Sequence, residues 1–194
     1  MGSLGSVIHF GKHTKLDRQE GINNFIKSIK YIVSKIPDKS KIIIETAAGQ
    51  GTEIGYRLSE FKKIWNHFTD EEKKKIGLCV DTCHIYSAGY NIDTIKGVRK
   101  FIKKFDRMFG LKNLTLIHLN DSKTELGSRK DRHENIGRGY IGGKPLIHFV
   151  KIAKNQKKEA KNKNFQLIGK VSVEVGVGCI VEFLGENNSE VFES

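Results

Sequence analysis

The sequence predicts an α/β protein in which parallel strands alternate with helices. Continuous apolar runs such as residues 42–44 and 76–80 are typical of strands buried on both faces of a parallel sheet. Residues 17–36 repeat apolar side chains at spacings of three and four, which predicts a helix with one buried face. Pro37 then ends this pattern. The alternation of the two patterns along the chain therefore predicts successive β/α units.

The elements follow one another from one end of the chain to the other as a single domain over residues 1–194. A short apolar strand that reaches His9 and Gly11 comes first, and a strand with alternating valines comes last. We predict strands at residues 7–11, 41–46, 76–80, 114–119 and 166–175, and helices at residues 17–36, 54–67, 93–108 and 145–163.

Composition points to a globular protein with a polyanionic partner. The chain has 194 residues, of which 38% are hydrophobic and 29% charged, and this balance is typical of folded domains. The formal net charge is +12, which favours nucleic acid as the partner. A lysine-rich composition alone would give scattered charge, but it would not produce the arginine-rich loop at residues 127–133.

Nothing in the sequence indicates export or a membrane. No apolar run approaches the roughly 20 residues of a membrane span, and the first residues do not resemble a signal peptide. The three cysteines, Cys79, Cys83 and Cys179, form an odd set without framework spacing. We therefore expect an intracellular, reducing compartment, either cytoplasm or nucleus. We interpret Cys79 and Cys83 as small buried hydrophobic residues.

Four successive strands end in residues that can bind metal. Carboxyl ends of parallel strands meet at one edge of a sheet, where β/α barrels carry their active sites. Imidazoles and carboxylates that converge there can hold zinc or a similar ion. The strand-end residues are His9, Glu45, Asp81 with His84 just beyond, and His118.

The stretch at residues 117–142 carries a second set of such residues. After His118-Leu119-Asn120-Asp121 the chain enters a loop rich in Gly, Arg and Ser. Asp131 and His133 alternate in this loop, so both side chains point the same way if the segment is extended. A carboxylate and an imidazole that point together form half of a zinc site, although an Asp–His hydrogen bond would have the same pattern.

At these residues the chain resembles the endonuclease IV family, zinc-dependent apurinic/apyrimidinic endonucleases built on a TIM barrel. The matching stretches are residues 7–13, 44–51, 79–90 and 118–142. The resemblance implies an α/β fold of the TIM (β/α)8-barrel family, here a partial barrel of about five β/α units.

The resemblance also implies a centre of up to three zinc ions. One ligand, Glu45, would bridge the first two metals and is the candidate catalytic carboxylate. The implied ligands are His9 for the first metal, Glu45 for the first and second, Asp81 and His118 for the second, and His84, Asp131 and His133 for the third.

The implied reaction is hydrolysis of double-stranded DNA 5′ to an abasic site by a zinc-activated hydroxide, as a step of DNA repair. Ser128, Arg129 and Arg132 resemble the substrate-binding part of the loop. Guanidinium groups suit such contacts because they bind phosphate through paired hydrogen bonds.

The chain departs from the family at both ends. The family's first three β/α units are absent, so the resemblance predicts an N-terminal truncation, and the open sheet edges predict either a missing N-terminal segment as partner or self-association. At the other end the tail at residues 169–194 diverges, and Glu174 is the candidate for the family's last glutamate ligand. We therefore expect weak or absent cleavage by the 194-residue chain.

Two other functions fit parts of the pattern. A divalent-metal sugar isomerase or epimerase on a related barrel would also use Glu, Asp and His at strand ends, but it would not need the Asp-Arg-His loop or the net charge of +12. An inactive fragment that binds zinc and DNA without turnover is the non-enzymatic alternative. Counting the metal ions bound per chain would separate these cases.

Overall fold

A parallel β-sheet forms the centre of the structure, as the sequence predicts. The computed structural model describes residues 5–159, 171–172 and 180–181. The parallel strands lie side by side in chain order: β1 (Gly5–Ile8), β2 (Lys41–Glu45), β3 (Ile76–Asp81) and β4 (Leu114–His118). The α/β class and the β/α alternation are therefore confirmed.

Helices connect the strands, and shorter pieces complete the described residues. A 3-10 turn at Leu111–Asn113 precedes β4. The helices are α1 (Arg18–Lys35), α2 (Leu58–Trp65), α3 (Asp70–Lys74), α4 (Thr82–Ser87), α5 (Ile95–Phe109) and α6 (Gly143–Glu159). The short strands are β5 (Asp121–Ser122), β6 (His133–Glu134), β7 (Val171–Ser172) and β8 (Ile180–Val181).

Helix α1 illustrates how the sequence sets both the limits and the buried face of an element. The Asp17 carboxylate accepts hydrogen bonds from the amides of Gln19 and Glu20, which satisfies two free donors of the first turn. At the other end Ile36 is extended, as expected for a residue that precedes proline. The face toward the sheet buries Ile22, Ile26, Ile29 and Val33.

The second helix begins later than predicted. The apolar pattern predicts a helix over residues 54–67, but α2 starts at Leu58. Gly55 has a φ of 76°, and a Cβ there would lie 2.5 Å from the Phe10 ring. The chain therefore makes a turn at Gly55 that brings it close to Phe10 and is incompatible with a helix.

One hydrophobic core joins the sheet to the helices. All six residues of β3 are buried, which explains its continuous apolar sequence. On α5, Phe101, Phe105 and Phe109 pack ring to ring, with centroid distances of 6.3 and 5.0 Å. Cys79 and Cys83 are free and buried in this region, which confirms the interpretation made for them.

The C-terminal part of the chain differs from a simple continuation of the parallel sheet. Of the strand predicted at residues 166–175 the structure describes Val171–Ser172, which pairs antiparallel with β8, and β8 pairs antiparallel with β4. Glu174 lies outside the described residues. The single domain over residues 1–194 and the divergent tail at 169–194 stay predictions. Among the described residues, no helix combines the length and apolar character of a membrane span.

The parallel pairing brings the ends of four strands to one edge of the sheet. Glu45 is the last residue of β2, Asp81 the last of β3 and His118 the last of β4, and His9 follows β1 directly. Asp81 and His118 are register partners across the β3–β4 pair. The strand-end residues singled out in the sequence therefore lie side by side.

Candidate metal centre

Glu45 lies at the middle of this edge and contacts an imidazole with each carboxylate oxygen. Its Oε2 is 3.0 Å from His9 Nε2, and its Oε1 is 2.7 Å from His118 Nδ1. Burial alone would raise the pKa of Glu45, but the hydrogen bonds from His118 and His9 outweigh it and lower the pKa to about 2. A buried, ionised carboxylate thus lies between two imidazoles and contacts both.

Asp81 is completely buried and held from two sides. Its Oδ1 accepts a hydrogen bond from the His84 amide at 3.0 Å, so the residue caps helix α4. Its Oδ2 accepts from Asn120 Nδ2 at 2.6 Å. The same oxygen lies 3.6 Å from His133 Nε2 and 3.9 Å from His118 Nδ1. Asp81 therefore faces the imidazoles in a fixed orientation.

His84 is oriented by a main-chain contact. Its Nδ1 lies 2.7 Å from the carbonyl oxygen of Thr46, so Nδ1 carries the proton and donates it to that oxygen. Its Nε2 faces Asp131, whose Oδ1 is 3.2 Å away. In the protonated ring Nε2 donates to that oxygen, and in the neutral ring the Nε2 lone pair is available to a metal ion. Such a contact to the second ring nitrogen is typical of histidines that bind metal.

His84, Asp131 and His133 form the tightest group of donors. Asp131 Oδ1 is 3.1 Å from His133 Nε2, and the two Nε2 atoms are 3.4 Å apart. Ligand atoms at 2.0–2.1 Å around a tetrahedral zinc ion are about 3.3 Å from one another. The structure thus brings together the three residues predicted for the third metal, at spacings that suit a shared ion.

The charges of this group favour a cation. Burial favours the neutral ring of His84, but the charges of Asp81, Asp131 and Glu45 outweigh burial and raise the pKa of His84 to about 10. Hydrogen bonds from His133 and His84 lower the pKa of Asp131, and the bond to Asp131 raises the pKa of His133. These carboxylates stabilise positive charge on the rings, and a metal ion would supply that charge instead.

The donor set fits a metal that takes nitrogen and oxygen ligands. Two groups of three such residues have ligand atoms within 4.8 Å of one another: Glu45 with Asp81 and His84, and His84 with Asp131 and His133. Cys79 and Cys83 belong to two further groups within the same distance. Burial raises the pKa of Cys79 well above its usual value and that of Cys83 to about 12, which favours protonated thiols.

The predicted substrate-binding residues lie beside this cluster but differ in their contacts. The Arg129 guanidinium donates to the main-chain oxygens of Gly49 and Gly51. Arg132 is exposed and donates to the carbonyl of Asp131. Ser128 Oγ is 2.8 Å from Thr124 Oγ1. Their role in binding DNA stays a prediction.

Sequence reasoning gave no role to Asn120 and Asp121, although it singled out their tetrapeptide. Asn120 orients Asp81, as described above. Asp121 is fully buried and accepts hydrogen bonds from main-chain amides of the glycine-rich loop that follows Asp131 and His133. These donors are the amides of Gly137, Gly139, Ile141 and Gly142, and the amide of the neighbouring Ser122 donates to the same carboxylate. The available signal was a pair of polar residues directly after the strand predicted at residues 114–119.

Comparison with known proteins shows the family to which the chain is similar. The family model described as xylose isomerase-like TIM barrel matches residues 1–156. A protein of Acanthamoeba polyphaga mimivirus that carries the name endonuclease 4 is 40% identical over 157 residues, which cover 79% of this chain and 50% of that protein. A protein of the same name from Persephonella marina is 43% identical over 145 residues, covering 74% and 50%.

A solved structure shows a similarity to endonuclease IV as well. Endonuclease IV from Thermus thermophilus superposes with a TM-score of 0.61 at 27% identity, over 76% of this chain and 49% of that one. The chain spans about half the length of the curated relatives it matches. The chain has four parallel strands connected by helices, and the family model matches most of its length. It therefore belongs to the xylose isomerase-like TIM barrel family and resembles the family's endonuclease IV members.

Proposed function

We propose that the chain is a metal-dependent endonuclease that hydrolyses DNA 5′ to abasic sites. The observation that carries the proposal is the group of His84, Asp131 and His133, whose donor atoms lie 3.1–3.4 Å apart beside two more carboxylates. The names of the relatives supply the reaction class, and the +12 charge is suited to a polyanionic substrate.

Zinc is the metal we propose, because imidazole nitrogens and carboxylate oxygens together suit it better than calcium or magnesium, which prefer oxygen ligands alone. His84, Asp131 and His133 would hold one ion, and His9, Glu45, Asp81 and His118 would hold the others. When bound, zinc activates water at neutral pH and neutralises charge on phosphate.

The chain's own residues orient these donors. Glu45 accepts from His9 on one oxygen and from His118 on the other, so each oxygen faces an imidazole that would hold an ion. Asp81 is fixed by Asn120, and His84 by Thr46. These partners lie outside the set of donors, and they would hold the donors in orientation around an ion.

Exposed cations next to the cluster would contact the DNA backbone. Lys123, Lys130 and Arg132 are exposed on the loop that carries Asp131 and His133. Phosphate contacts of this kind position the duplex without reading its sequence.

We also propose an intracellular, reducing location for this activity. The two buried thiols of Cys79 and Cys83 are free, which suits a compartment in which disulfides do not form.

The test is incision of a duplex oligonucleotide that carries one tetrahydrofuran abasic analogue. Zinc-loaded chain in excess over DNA should cut slowly on the 5′ side of the analogue and leave a 3′-hydroxyl. Asp81→Ala should lose this activity because the buried carboxylate faces two imidazoles. Asp38→Ala is the matched control, since its carboxylate is 95% exposed and pairs with Lys75 at the surface.

The controls separate the competing functions. A duplex without the analogue should stay uncut. An uncut abasic duplex in the presence of bound zinc would overturn the proposal and favour a chain that binds zinc and DNA without turnover. Interconversion of aldose and ketose sugars by the metal-loaded chain would instead support the isomerase alternative.

A further inference from the structure

We propose that Arg129 is a positioning residue that fastens the loop at residues 46–53 to the loop at residues 127–133 and thereby holds Asp131 in the metal cluster. The inference rests on the proposed function only in that the cluster binds metal. It assigns Arg129 to a contact between two loops of the protein, where the family resemblance suggested a phosphate contact.

The first observation is that Arg129, although exposed, donates to main-chain carbonyls of the loop at residues 46–53. Its Nε is 2.7 Å from the carbonyl oxygen of Gly49, and one terminal nitrogen is 3.2 Å from the carbonyl oxygen of Gly51. Its guanidinium also lies over the Tyr56 ring, 4.8 Å from the centroid. A planar group that binds two carbonyls and stacks on an aromatic ring is held in one orientation.

The second observation is what lies between the two carbonyls. Gln50 stands between Gly49 and Gly51, and its Oε1 accepts a hydrogen bond from the amide of Asp131 at 3.2 Å. Because Arg129 holds the residues on both sides of Gln50, it also positions the Gln50 side chain that accepts from Asp131. Glu53 supports the same loop, because its Oε2 accepts from the amides of Gly49 and Gln50 at 2.9 and 2.8 Å.

The third observation is that the loop at residues 127–133 is also anchored to helix α4. The Arg129 amide donates to the carbonyl of Ser87 at 2.9 Å, and Ser87 Oγ donates to the carbonyl of Lys130 at 2.8 Å. Ser87 ends helix α4, whose first turn carries His84. The loop with Asp131 and His133 is thus tied both to the helix of His84 and to the segment that follows Glu45.

The backbone of Arg129 supports a specific role for its side chain. Its φ is 55°, in the left-handed region that residues other than glycine rarely adopt. Glycine or asparagine would relieve this strain. Gly49 has φ 87°, and a Cβ there would lie 2.8 Å from the Tyr56 ring. The guanidinium, the ring and the glycine therefore fit one another closely.

Arg129→Lys tests the inference because it keeps the charge but cannot bind both carbonyls with a planar fork. We would titrate the metal-free chain with Co²⁺ and follow both the d–d absorption and competition with a chelator. The variant should lose affinity for one equivalent of Co²⁺ by about 10–100-fold, the usual effect of removing a partner outside the ligand set. Absorption from the remaining equivalents should not change.

Two further variants make the result specific. Arg57→Lys is the matched control, because Arg57 stacks on the same Tyr56 ring at 5.3 Å from outside the two loops, and it should bind Co²⁺ like the wild type. Gln50→Ala should weaken the same equivalent as Arg129→Lys. The double variant should be no weaker than the worse single variant, since both act through one connection to Asp131.

The outcomes are distinct. If the wild type binds metal and both Arg129→Lys and Gln50→Ala bind it equally well, the inference is wrong while the proposed function stands. Additive losses would also overturn it, because they would mean two independent effects. A wild-type chain that binds neither Co²⁺ nor zinc would overturn the proposed function itself. Thermal unfolding of each metal-free variant identifies any that fails to fold, and the other variant then decides.

Discussion

Asn120 is a single side chain on which the orientation of Asp81 depends. It is buried, and its Nδ2 donates to Asp81 Oδ2 at 2.6 Å. Asn120→Ala should leave that buried oxygen without its amide partner and let the carboxylate rotate away from His118 and His133. We expect zinc affinity to fall by about 10–100-fold, measured by chelator competition.

Asn135→Ala is the matched control for this change. Asn135 lies on the same stretch of chain but is exposed, so its loss should leave zinc affinity within error of the wild type. Equal affinities of the Asn120 variant and the wild type would mean that Asp81 does not bind metal or is held by its other contacts alone.

Asp121 is a second residue that holds another part of the chain, the glycine-rich loop at residues 137–142, through hydrogen bonds. Asp121→Asn places an amide group where main-chain N–H donors converge, so at least one buried donor loses its acceptor. We expect the free energy of unfolding to fall by about 3 kcal/mol, as for a hydrogen-bonded buried charge.

Urea unfolding of the metal-free chain measures this loss, and Asp38→Asn at the surface should leave the free energy of unfolding nearly unchanged. Limited proteolysis should in addition cut the Asp121 variant near residues 135–142 first. A variant as stable as the wild type would mean that water replaces Asp121 as the acceptor for this loop.

At the scale of elements, an ion pair joins α1 to α2. The Arg18 guanidinium binds both carboxylate oxygens of Glu60 at 2.8 Å, and the Gly55 amide donates to the same carboxylate at 2.6 Å. Burial alone would raise the pKa of Glu60, but the bonds from Arg18 and Gly55 outweigh it and lower the pKa. The pair therefore stabilises the folded state only while Glu60 is ionised.

Glu60→Gln tests this link through its pH dependence. Because the pKa of Glu60 is lower in the folded than in the unfolded chain, its contribution is complete above the unfolded value of about 4.3 and is lost as pH falls through the folded value. The variant should be less stable by about 1 kcal/mol at pH 7, and the difference should shrink below about pH 4. Urea unfolding at several pH values measures the difference in free energy of unfolding between the variant and the wild type. A difference that does not change with pH would contradict a stabilising role of ionised Glu60.

Across the whole molecule, the sequence predicted the features that depend on hydrophobic pattern and on strand ends. The four parallel strands and the meeting of Glu45, Asp81 and His118 follow from continuous apolar runs that each end in a polar residue. Helix α4 was not predicted, because it follows β3 without a loop and is capped by Asp81, a residue already interpreted as a ligand.

Contacts between loops distant in sequence could not be predicted. Gln50 and Asp131 are 81 positions apart, and the Arg129–Gly49 contact joins residues 80 positions apart. Neither pair has a periodic signature, since hydrophobic spacing reports only which face of an element is buried. Arginine in a basic loop suggests phosphate binding by composition alone, and its actual partners depend on which loops the sheet brings together.

The charge of the whole chain gives the last prediction, which concerns binding to undamaged duplex DNA. With 34 lysines and arginines against 22 acidic residues, the chain should bind any duplex through its phosphates, and each contact releases counterions. Affinity measured by fluorescence anisotropy should therefore fall steeply between about 50 and 200 mM salt. Arg132→Ala should weaken binding and reduce the magnitude of the log–log salt slope by about 1, because it removes one phosphate contact. Lys27→Ala, which removes an exposed charge on α1, should leave the slope unchanged. An affinity that does not change with salt, or equal slopes for wild type and Arg132→Ala, would mean that this loop does not contact the DNA backbone.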